Sequence, residues 1–517
     1  MKTSVLCIAF QLLTGVALLA TGSVSHAFGY MPSWTMYQGN PGNTGYLPLR
    51  LNERFFQVTW TFDPGIGTLN AAIATEGKLI ITGQPLGGKG SIKVFELANR
   101  QPVWSSEISS RSSNSISSPS FQHHNGQAYL FYGYSNGGRQ WISQARISSF
   151  DINNGSETIL TSFSDIPVRF DTLPLHYDYL FYNNGREFGA LNAFTDDPVW
   201  SFPVFIMYPE SQGRMAVDRD FLYFSNDPKT VIVERATGML QAHIDFAGND
   251  LTPVLDGAGN LILSRYNDIR SYSAHTQQQN WTQRLSGVSS IQKVAIGNKL
   301  VLVITDNKLY ALSPSDGSIL WHWQCPASMS DQIVVTDTHA FVSSYNTTYA
   351  IDLKTHQDVW SHPVSGKLAL SDMNLLLISQ GSELIVVDFG VEADSDNDGI
   401  PDWWEDQYGL NSEDPSDAAQ DNDSDNLSNL DEYRNDTNPS VSDTDQDGLL
   451  DGDEIHQHAT DPLNSDCDND GLSDGDEINL HGSNPLSGDS DSDQLPDLFE
   501  VDNQLNPSDP TDAEQDR

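Results

Sequence analysis

The C-terminal quarter of the sequence carries oxygen-bearing side chains at a spacing that could hold a metal ion. One twelve-residue pattern occurs five times between Asp394 and Glu500, with Asp at positions 1, 3 and 5, an apolar residue at 7, Asp or Asn at 9 and Glu at 12. Calcium is a hard cation that takes six to eight oxygen ligands, and this is the ligand order of a calcium-binding loop. We call the copies loops 1 to 5; they read DSDNDGIPDWWE, DNDSDNLSNLDE, DTDQDGLLDGDE, DCDNDGLSDGDE and DSDSDQLPDLFE.

The role of each position follows from the chemistry of oxygen ligands. Three short carboxylates two residues apart turn inward around the ion, and the backbone carbonyl at position 7 needs no particular side chain. Position 9 often acts through a water, and the longer Glu at 12 binds with both oxygens. The pattern predicts calcium as the bound metal, and the predicted ligands are Asp394, Asp396, Asp398, Ile400, Asp402, Glu405, Asp421, Asp423, Asp425, Leu427, Asn429, Glu432, Asp443, Asp445, Asp447, Leu449, Asp451, Glu454, Asp466, Asp468, Asp470, Leu472, Asp474, Glu477, Asp489, Asp491, Asp493, Leu495, Asp497 and Glu500.

The turn at position 6 of each loop requires a left-handed backbone, which glycine adopts without strain. Gly399, Gly448 and Gly471 supply it, whereas loops 2 and 5 carry Asn426 and Gln494. Asn tolerates this conformation better than Gln does, so loop 5 is the least typical copy. The alternative interpretation is an acidic, disordered tail, but such a tail has no reason to keep one ligand order through five copies.

The loops form a regular array. They begin 27, 22, 23 and 23 residues apart, and each leads into a short amphipathic stretch and then a turn that contains a proline. This array resembles the thrombospondin type 3 repeats of bacterial exported proteins, over about a quarter of the chain. The resemblance implies little regular structure, with the bound metal acting as the core, and predicts a calcium-dependent repeat array over residues 391–517.

The acidity of the protein belongs to this array rather than to the whole surface. The 517-residue chain has 26 Lys and Arg against 70 Asp and Glu, a net charge of −44. Residues 391–517 hold 39 of the acids and two arginines, so the remainder is only slightly acidic. Because nucleic-acid-binding proteins present a basic face to the phosphates, we expect no nucleic-acid partner.

The N-terminus has the features of a secretory signal peptide over residues 1–27. Lys2 precedes an apolar run over residues 5–20 and the small-residue cleavage motif Ser25-His26-Ala27. The run is short for a membrane span and no later stretch is apolar enough to cross a bilayer, so no transmembrane segment is expected. We expect a secreted or extracellular protein, with the periplasm or outer cell surface as the alternative, because weak calcium loops saturate only where calcium is abundant.

Residues 28–390 contain short runs of β-branched and aromatic residues between Gly, Asn and Asp turns, which predicts strands. Segments of strand, turn and strand repeatedly end on a tryptophan, and the later copies lie about 40 residues apart. That length holds four short strands, which is one blade of a β-propeller. We interpret these tryptophans as packing residues rather than a cofactor site; they are Trp104, Trp200, Trp281, Trp321 and Trp360.

The number of blades depends on how the ring closes. The last copy, which ends in LIVVDFG, lacks a terminal strand with a tryptophan, and the isolated strand QVTWTF around Trp60 can supply it. This closure ties the ends of the ring together and removes an open sheet edge. The sequence therefore predicts an all-β protein with an eight-bladed propeller; seven blades is the alternative, because the segment from Arg111 to Phe163 is long and irregular.

The opening WTMYQGNPGNTGYLP and the tryptophan-ended blades resemble the PQQ-like propeller superfamily over most of residues 34–390. That group includes quinoprotein alcohol dehydrogenases and the non-enzymatic propeller of the outer-membrane β-barrel assembly machine. The dehydrogenases use adjacent cysteines joined in a ring, a propeller-bound calcium ion and an Asp base. Residues 28–390 contain Cys325 as their one cysteine, which disfavours PQQ-dependent oxidation.

Other motifs lack residues that the sites they resemble would require. GQPLGGKG from Gly83 ends without the Ser or Thr that would hold magnesium and lies in a predicted β-hairpin, so it is not a phosphate loop. The pairs His123-His124 and His456-Gln-His458 lack carboxylate or Cys partners in a ligand pattern, and we interpret them as surface residues. The two cysteines that follow the signal peptide are too few for a disulfide framework.

Together these features predict an exported, calcium-binding protein that is not an enzyme. The propeller would be a platform for an unidentified protein or cell-surface partner, and the array a stalk that calcium stiffens. The first alternative is an enzyme with its site in the propeller channel, which requires converging acids, histidines or a bound cofactor there. The second is an adhesin or matrix component in which the array is the functional part.

Overall fold

The computed structural model describes residues 45–511, apart from 86–87, 109–113, 123–125, 135–141, 167–172, 177–178, 184–186, 194, 196, 204–214, 227–228, 247–251, 372–373, 391–393, 469 and 494. The predicted signal peptide over residues 1–27, residues 34–44 of the WTMYQGNPGNTGYLP opening, the pair His123-His124 and Gln494 lie outside the described residues. Contacts within the chain divide it into two compact units, Met1–Gly390 and Val391–Arg517.

The first unit is a β-propeller of eight antiparallel sheets, which are its blades. Six blades have four strands, and the first two in chain order have an additional short strand. A single 3-10 turn, Glu53–Phe55, precedes the strands in the described part of the chain. The strands are β1 (Gln57–Phe62), β2 (Thr68–Leu69), β3 (Ile73–Thr75), β4 (Lys78–Gln84), β5 (Ser91–Glu96), β6 (Pro102–Glu107), β7 (Asn114–Ile116), β8 (Ser120–Gln122), β9 (Gln127–Tyr134), β10 (Ile142–Asp151), β11 (Glu157–Ile166), β12 (Leu175–His176), β13 (Tyr179–Asn183), β14 (Glu187–Asn192), β15 (Pro198–Pro203), β16 (Met215–Val217), β17 (Phe221–Asn226), β18 (Lys229–Glu234), β19 (Leu240–Ile244), β20 (Val254–Leu255), β21 (Asn260–Arg265), β22 (Asp268–Ser273), β23 (Gln279–Arg284), β24 (Lys293–Gly297), β25 (Leu300–Ile304), β26 (Lys308–Leu312), β27 (Ile319–Gln324), β28 (Met329–Val335), β29 (His339–Ser344), β30 (Thr348–Asp352), β31 (Asp358–His362), β32 (Lys367–Ser371), β33 (Leu375–Gln380) and β34 (Glu383–Asp388).

The position of a strand in its blade decides its residue pattern. The inner strand β25 reads LVLVI, and four of its five residues are buried because neighbouring blades cover both faces of the sheet. The outermost strand of the same blade, β27, reads ILWHWQ and is exposed at four of six positions. Continuous apolar runs are therefore typical of strands that neighbouring blades cover on both faces, and mixed sequences are typical of the outermost strands at the circumference of the ring.

The ring is closed by the strand around Trp60. Strand β1 pairs antiparallel with β34, with Gln57 opposite Asp388 and Phe62 opposite Leu384. The last blade thus consists of β32, β33, β34 and β1, which joins the two ends of the propeller in one sheet. The predicted eight-bladed count is confirmed and the alternative of seven is wrong, because the long segment from Arg111 to Phe163 holds one blade built on the ten-residue strands β10 and β11.

The blade tryptophans join each sheet to the next. The indole nitrogen of Trp104 donates to the carbonyl of Ile152 at 2.8 Å, and that of Trp200 donates to the carbonyl of Arg235 at 2.9 Å. In both cases the acceptor lies at a turn of the following blade, and a glycine of that turn lies under the ring. The tryptophans are thus packing residues, because a large planar side chain fixes one blade against its neighbour.

Replacement of Gly238 by Ala is expected to destabilise the propeller. A Cβ atom at this position would come within 2.6 Å of the Trp200 ring, and the residue has a φ of +71°. The left-handed backbone costs about 1 kcal/mol for Ala, and overpacking typically costs a further ~1–3 kcal/mol. Gly381→Ala is the matched control, since its φ is +56° but nothing lies within 4 Å of the added Cβ. Equal losses in the free energy of unfolding for the two variants would contradict the packing role.

The second unit has little regular structure, as predicted. A short helical segment begins at position 9 of each loop, and two of these segments continue from α-helix into a π-helical turn. Among the described residues, no helix has the length and apolar character needed to cross a membrane. The segments are α1 (Asp402–Tyr408), α2 (Asn429–Asn435), α3 (Asp451–Asp453) with the π turn Glu454–His458, α4 (Asp474–Asp476) with the π turn Glu477–His481, and α5 (Asp497–Asp502).

Candidate metal sites

The backbone of each loop is wound around its own aspartates. In loop 1, the amide of Gly399 donates to Asp394 at 3.2 Å and the amide of Ile400 donates to Asp398 at 2.8 Å. The same two bonds recur in loops 2, 3 and 4, and the second recurs in loop 5. Positive φ values occur at position 6 in loops 1 to 4, including +77° at Asn426. These turns bring alternate aspartates to one side of the loop.

The apolar residue at position 7 anchors loops 1 to 4, whereas Leu495 of loop 5 is only partly buried. Ile400 is completely buried and packs with Trp404 and Ala418 in an apolar cluster at loop 1. Leu427 is 1% exposed, and its counterparts in loops 3 and 4 are also buried. A side chain that packs inward fixes the backbone carbonyl of the same residue, which is the atom predicted to bind the ion.

The aspartates of a loop converge on one another. One carboxylate oxygen from each of Asp394, Asp396 and Asp398 lies within 4.8 Å of the other two. The same convergence occurs at positions 1, 3 and 5 of loops 2 and 3, among Asp421, Asp423 and Asp425 and among Asp443, Asp445 and Asp447. The structure therefore brings together three predicted ligands in each of these loops.

The glutamate at position 12 closes each loop from the first turn of a helix. All five of these glutamates are fully buried: Glu405, Glu432, Glu454, Glu477 and Glu500. Neither carboxylate oxygen of Glu405 or of Glu432 has a hydrogen-bond partner in the part of the chain that the structure describes. A buried carboxylate with no cation or donor is strongly unfavourable. The atoms that converge in each loop are carboxylate oxygens, and oxygen is the ligand atom that calcium prefers. The residues therefore fit a calcium ion.

The buried acids resist ionisation without a cation. Burial, followed by the charges of Asp423 and Asp425, raises the pKa of Glu432 to about 9. Burial, followed by the charge of Asp398, raises the pKa of Glu405 to about 7. We therefore expect loops 1 and 2 to hold protons near neutral pH when no metal is bound, and a bound cation would displace them because it favours the ionised form.

Asp451, at position 9 of loop 3, interacts with two loops at once. Asp451 of loop 3 accepts hydrogen bonds from the amide of Thr444 at 2.7 Å and from its hydroxyl at 2.6 Å, which stabilises its own loop. The Asp451 carboxylate also lies within 4.8 Å of Asp425 and Glu432 of loop 2. The predicted ligand of loop 3 is thus placed beside the acids of the preceding loop, and loops 2 and 3 share a carboxylate.

A backbone contact continues this connection along the array. The amide of Gly475, at position 10 of loop 4, donates to Asp447 of loop 3 at 2.8 Å. A side chain at Gly475 would collide with the carbonyl oxygen of Asp447, and one at Gly452 would collide with that of Asp425. The glycines at position 10 of loops 3 and 4 therefore permit the close approach of consecutive loops.

One acid at the sites lies outside the repeated pattern. Asp417, in the spacer between loops 1 and 2, places a carboxylate oxygen within 4.8 Å of Asp398 and Glu405. The sequence pattern did not include it, because it belongs to none of the twelve-residue copies. A signal was present, since the spacing from loop 1 to loop 2 is 27 residues where the others are 22 or 23.

The remaining sequence candidates lie on unremarkable structure. The GQPLGGKG motif connects the antiparallel strands β4 and β5, so no helix follows it as a phosphate loop requires. His456 is exposed and follows Glu454 on the π turn of loop 3. Cys325 is buried and Cys467 is half-buried, and both are free thiols.

Profiles of known families match parts of the propeller and parts of the loop array. The profile of the outer membrane protein assembly factor BamB matches residues 183–388. The profile of the bacterial TSP3 repeat matches residues 394–409, 443–465 and 466–488, which contain loops 1, 3 and 4. These are the loops with glycine at position 6. The chain therefore consists of a PQQ-like, BamB-like β-propeller followed by bacterial thrombospondin type 3 repeats, which are repeats of the calcium-binding type.

Solved structures share the propeller fold at low identity. A europium-containing methanol dehydrogenase is 12% identical and matches 69% of this chain and 98% of its own, with a TM-score of 0.52. A quinohemoprotein alcohol dehydrogenase from Pseudomonas putida is 11% identical over 70% of this chain and 81% of its own, also with a TM-score of 0.52. BamB from Moraxella catarrhalis is 12% identical over 64% and 99% of the two chains, with a TM-score of 0.48. No curated protein matches the sequence.

Proposed function

We propose that this protein is an exported, non-catalytic calcium-binding protein whose propeller binds a protein or cell-surface partner and whose repeats form a calcium-stiffened stalk. The observation that supports calcium binding is the burial of glutamates without partners, such as Glu405 and Glu432, among converging aspartates. Protein cores contain such groups only when a proton or cation compensates them. The predicted ligands of all five loops remain those given by the repeated pattern.

Charge explains why the ions would stiffen the stalk. Residues 391–517 carry 39 acidic residues and two arginines, so the segment repels itself without cations. Each calcium ion offsets two negative charges at the point where the carboxylates are most crowded. Because neighbouring loops share acids such as Asp451, ions in successive loops would hold the chain in one continuous arrangement.

The circumference of the propeller is suited to binding a partner. Apolar side chains are exposed on several outermost strands, with Leu240 on β19 at 66%, Leu320 on β27 at 53% and Ile159 on β11 at 48%. The outer edge of such a strand also presents backbone groups that a partner strand can pair with. These features support protein recognition, whereas Cys325 as the one cysteine of residues 28–390 disfavours a quinoprotein reaction.

Calorimetric titration of the full-length protein with calcium tests this proposal. We expect up to five ions to bind, with dissociation constants of about 10⁻⁴–10⁻³ M if the loops behave as extracellular modules do. At pH 7 the measured heat should change with the ionisation enthalpy of the buffer, because the raised pKa of Glu432 and Glu405 means that binding releases protons. Small-angle scattering should show a narrower distribution of dimensions with calcium than with a chelator.

Glu432→Gln and Glu413→Gln form a matched pair for this titration. The first removes a buried carboxylate of loop 2, and the second removes the same charge from an exposed spacer position. We expect Glu432→Gln to lose one site and Glu413→Gln to retain all of them. A wild-type protein that binds no calcium, or a visible absorbance from a bound cofactor in the purified protein, would contradict the proposed function.

A further inference from the structure

The side chain of Asp417, in the spacer between loops 1 and 2, is buried beside loop 1. It is 8% exposed, and its Oδ2 accepts a hydrogen bond from the amide of Asn411 at 2.8 Å. Its Oδ1 is buried with no hydrogen-bond partner among the described residues. The carboxylate faces Asp398 and Glu405 of loop 1, with oxygens within 4.8 Å of one another. A third acid beside the partly buried Asp398 and the buried Glu405 is repelled by them unless a cation lies between the carboxylates.

The fold of the spacer holds Asp417 in this place. Its amide donates to the carbonyl of Asp414 at 3.2 Å, and its own carbonyl accepts from the amide of Gln420 at 2.9 Å. The next residue, Ala418, is 5% exposed and packs with Ile400 and Trp404. Hydrogen bonds within the spacer therefore fix the backbone on both sides of Asp417, and Ala418 packs the spacer against loop 1. The orientation of the Asp417 carboxylate is thus set by the fold.

A comparison with loop 2 indicates why loop 1 has an additional acid. Asp451, at position 9 of loop 3, adds a carboxylate to the cluster of loop 2. The equivalent residue for the cluster of loop 1 is Asn429, which brings no charge. Asn429 is fully buried, its Nδ2 donates to the carbonyl of Asp417 at 2.8 Å, and its Oδ1 has no partner among the described residues. Asp417 thus supplies the negative charge that Asn429 lacks.

We propose that Asp417 is a ligand of the calcium ion of loop 1 and replaces the carboxylate that position 9 of the following loop provides at loop 2. This inference rests on the proposed calcium binding. It extends the first site to a residue outside the repeated pattern and makes the longer first spacer part of that site.

Terbium luminescence provides a readout weighted towards loop 1. Trp403 and Trp404 lie at positions 10 and 11 of loop 1 and are the two tryptophans of residues 391–517. A terbium ion in a calcium site emits when a nearby indole is excited, and the effect falls steeply with distance. We expect Asp417→Asn in the full-length protein to weaken terbium binding at loop 1 by at least about tenfold, since outer partners of metal sites already contribute 10–100-fold.

Asp414→Asn is the control, because Asp414 is an exposed acid of the same spacer and its loss removes the same charge. In Asp417→Asn the amide oxygen of the new side chain can still accept the hydrogen bond from Asn411, so the spacer can keep its fold.

The double variant Asp417→Asn with Asn429→Asp restores a carboxylate to the site and should recover most of the emission. Wild-type affinity in Asp417→Asn, equal losses in the two single variants or no recovery in the double variant would overturn the inference. Failure of the wild-type protein to bind any ion would instead overturn the proposed function.

Discussion

Removal of calcium from the full-length protein is expected to open the C-terminal array while leaving the propeller folded. Amide hydrogen exchange should accelerate over the loops and helical segments between Asp394 and Glu500, and the inner strands of the blades should stay protected. The strands of the propeller are stabilised by apolar contacts between blades, for example around the fully buried Leu302 and Phe341. The array instead buries five glutamates, which need a compensating charge.

The expected size of this effect follows from mass action. If each site has a dissociation constant of about 10⁻⁴ M, free calcium at about 1 mM stabilises the folded loop by about 1.4 kcal/mol. Over five sites the sum is about 7 kcal/mol, comparable with the whole stability of a small domain. Loss of that stabilisation should convert slow exchange in the array into exchange close to that of an unfolded chain.

Magnesium is the control for this experiment. Mg²⁺ carries the same charge but demands a smaller octahedral site and releases its waters reluctantly. Addition of magnesium after chelation should therefore restore little protection, whereas calcium should restore it fully. Identical exchange in the array with calcium and with chelator would show that the acids do not depend on calcium for their fold.

Asp451→Asn is expected to weaken calcium binding at two loops rather than at one. The carboxylate accepts two hydrogen bonds from Thr444 in loop 3 and lies beside Asp425 and Glu432 in loop 2. The substitution should reduce the affinity of loop 2 by about tenfold or more and should also loosen loop 3. Calorimetry gives the lost affinity, and hydrogen exchange identifies the loops that become less protected.

Asp402→Asn separates the two roles of position 9. Asp402 in loop 1 accepts the same pair of hydrogen bonds, from the amide and hydroxyl of Ser395, each at 2.7 Å. No loop of the pattern precedes it, so it has no earlier cluster to complete. We expect Asp402→Asn to loosen loop 1 alone. If Asp451→Asn affected loop 3 but left loop 2 at its wild-type affinity, the sharing of a carboxylate between loops would be refuted.

Features that depend on neighbours in sequence were predictable. The aspartates at positions 1, 3 and 5 converge because bonds such as that from Ile400 to Asp398 form within a few residues. The blades were recognisable because each one repeats the same strands and tryptophan. Closure by the strand at Trp60 was also predictable, because the final blade lacked an outer strand that this segment could provide.

The sequence by itself thus determined an all-β ring, for which it favoured eight blades over seven, and an array of five loops with the ligand order of calcium sites. Only the tertiary structure showed that Asp451 lies beside loop 2 and that Asp417 lies beside loop 1. The physical reason is the range of the interactions. A loop of twelve residues sets the direction of its own side chains. Contacts between loops depend instead on how repeats of 22 to 27 residues fold back on one another, which a pattern within one loop does not predict.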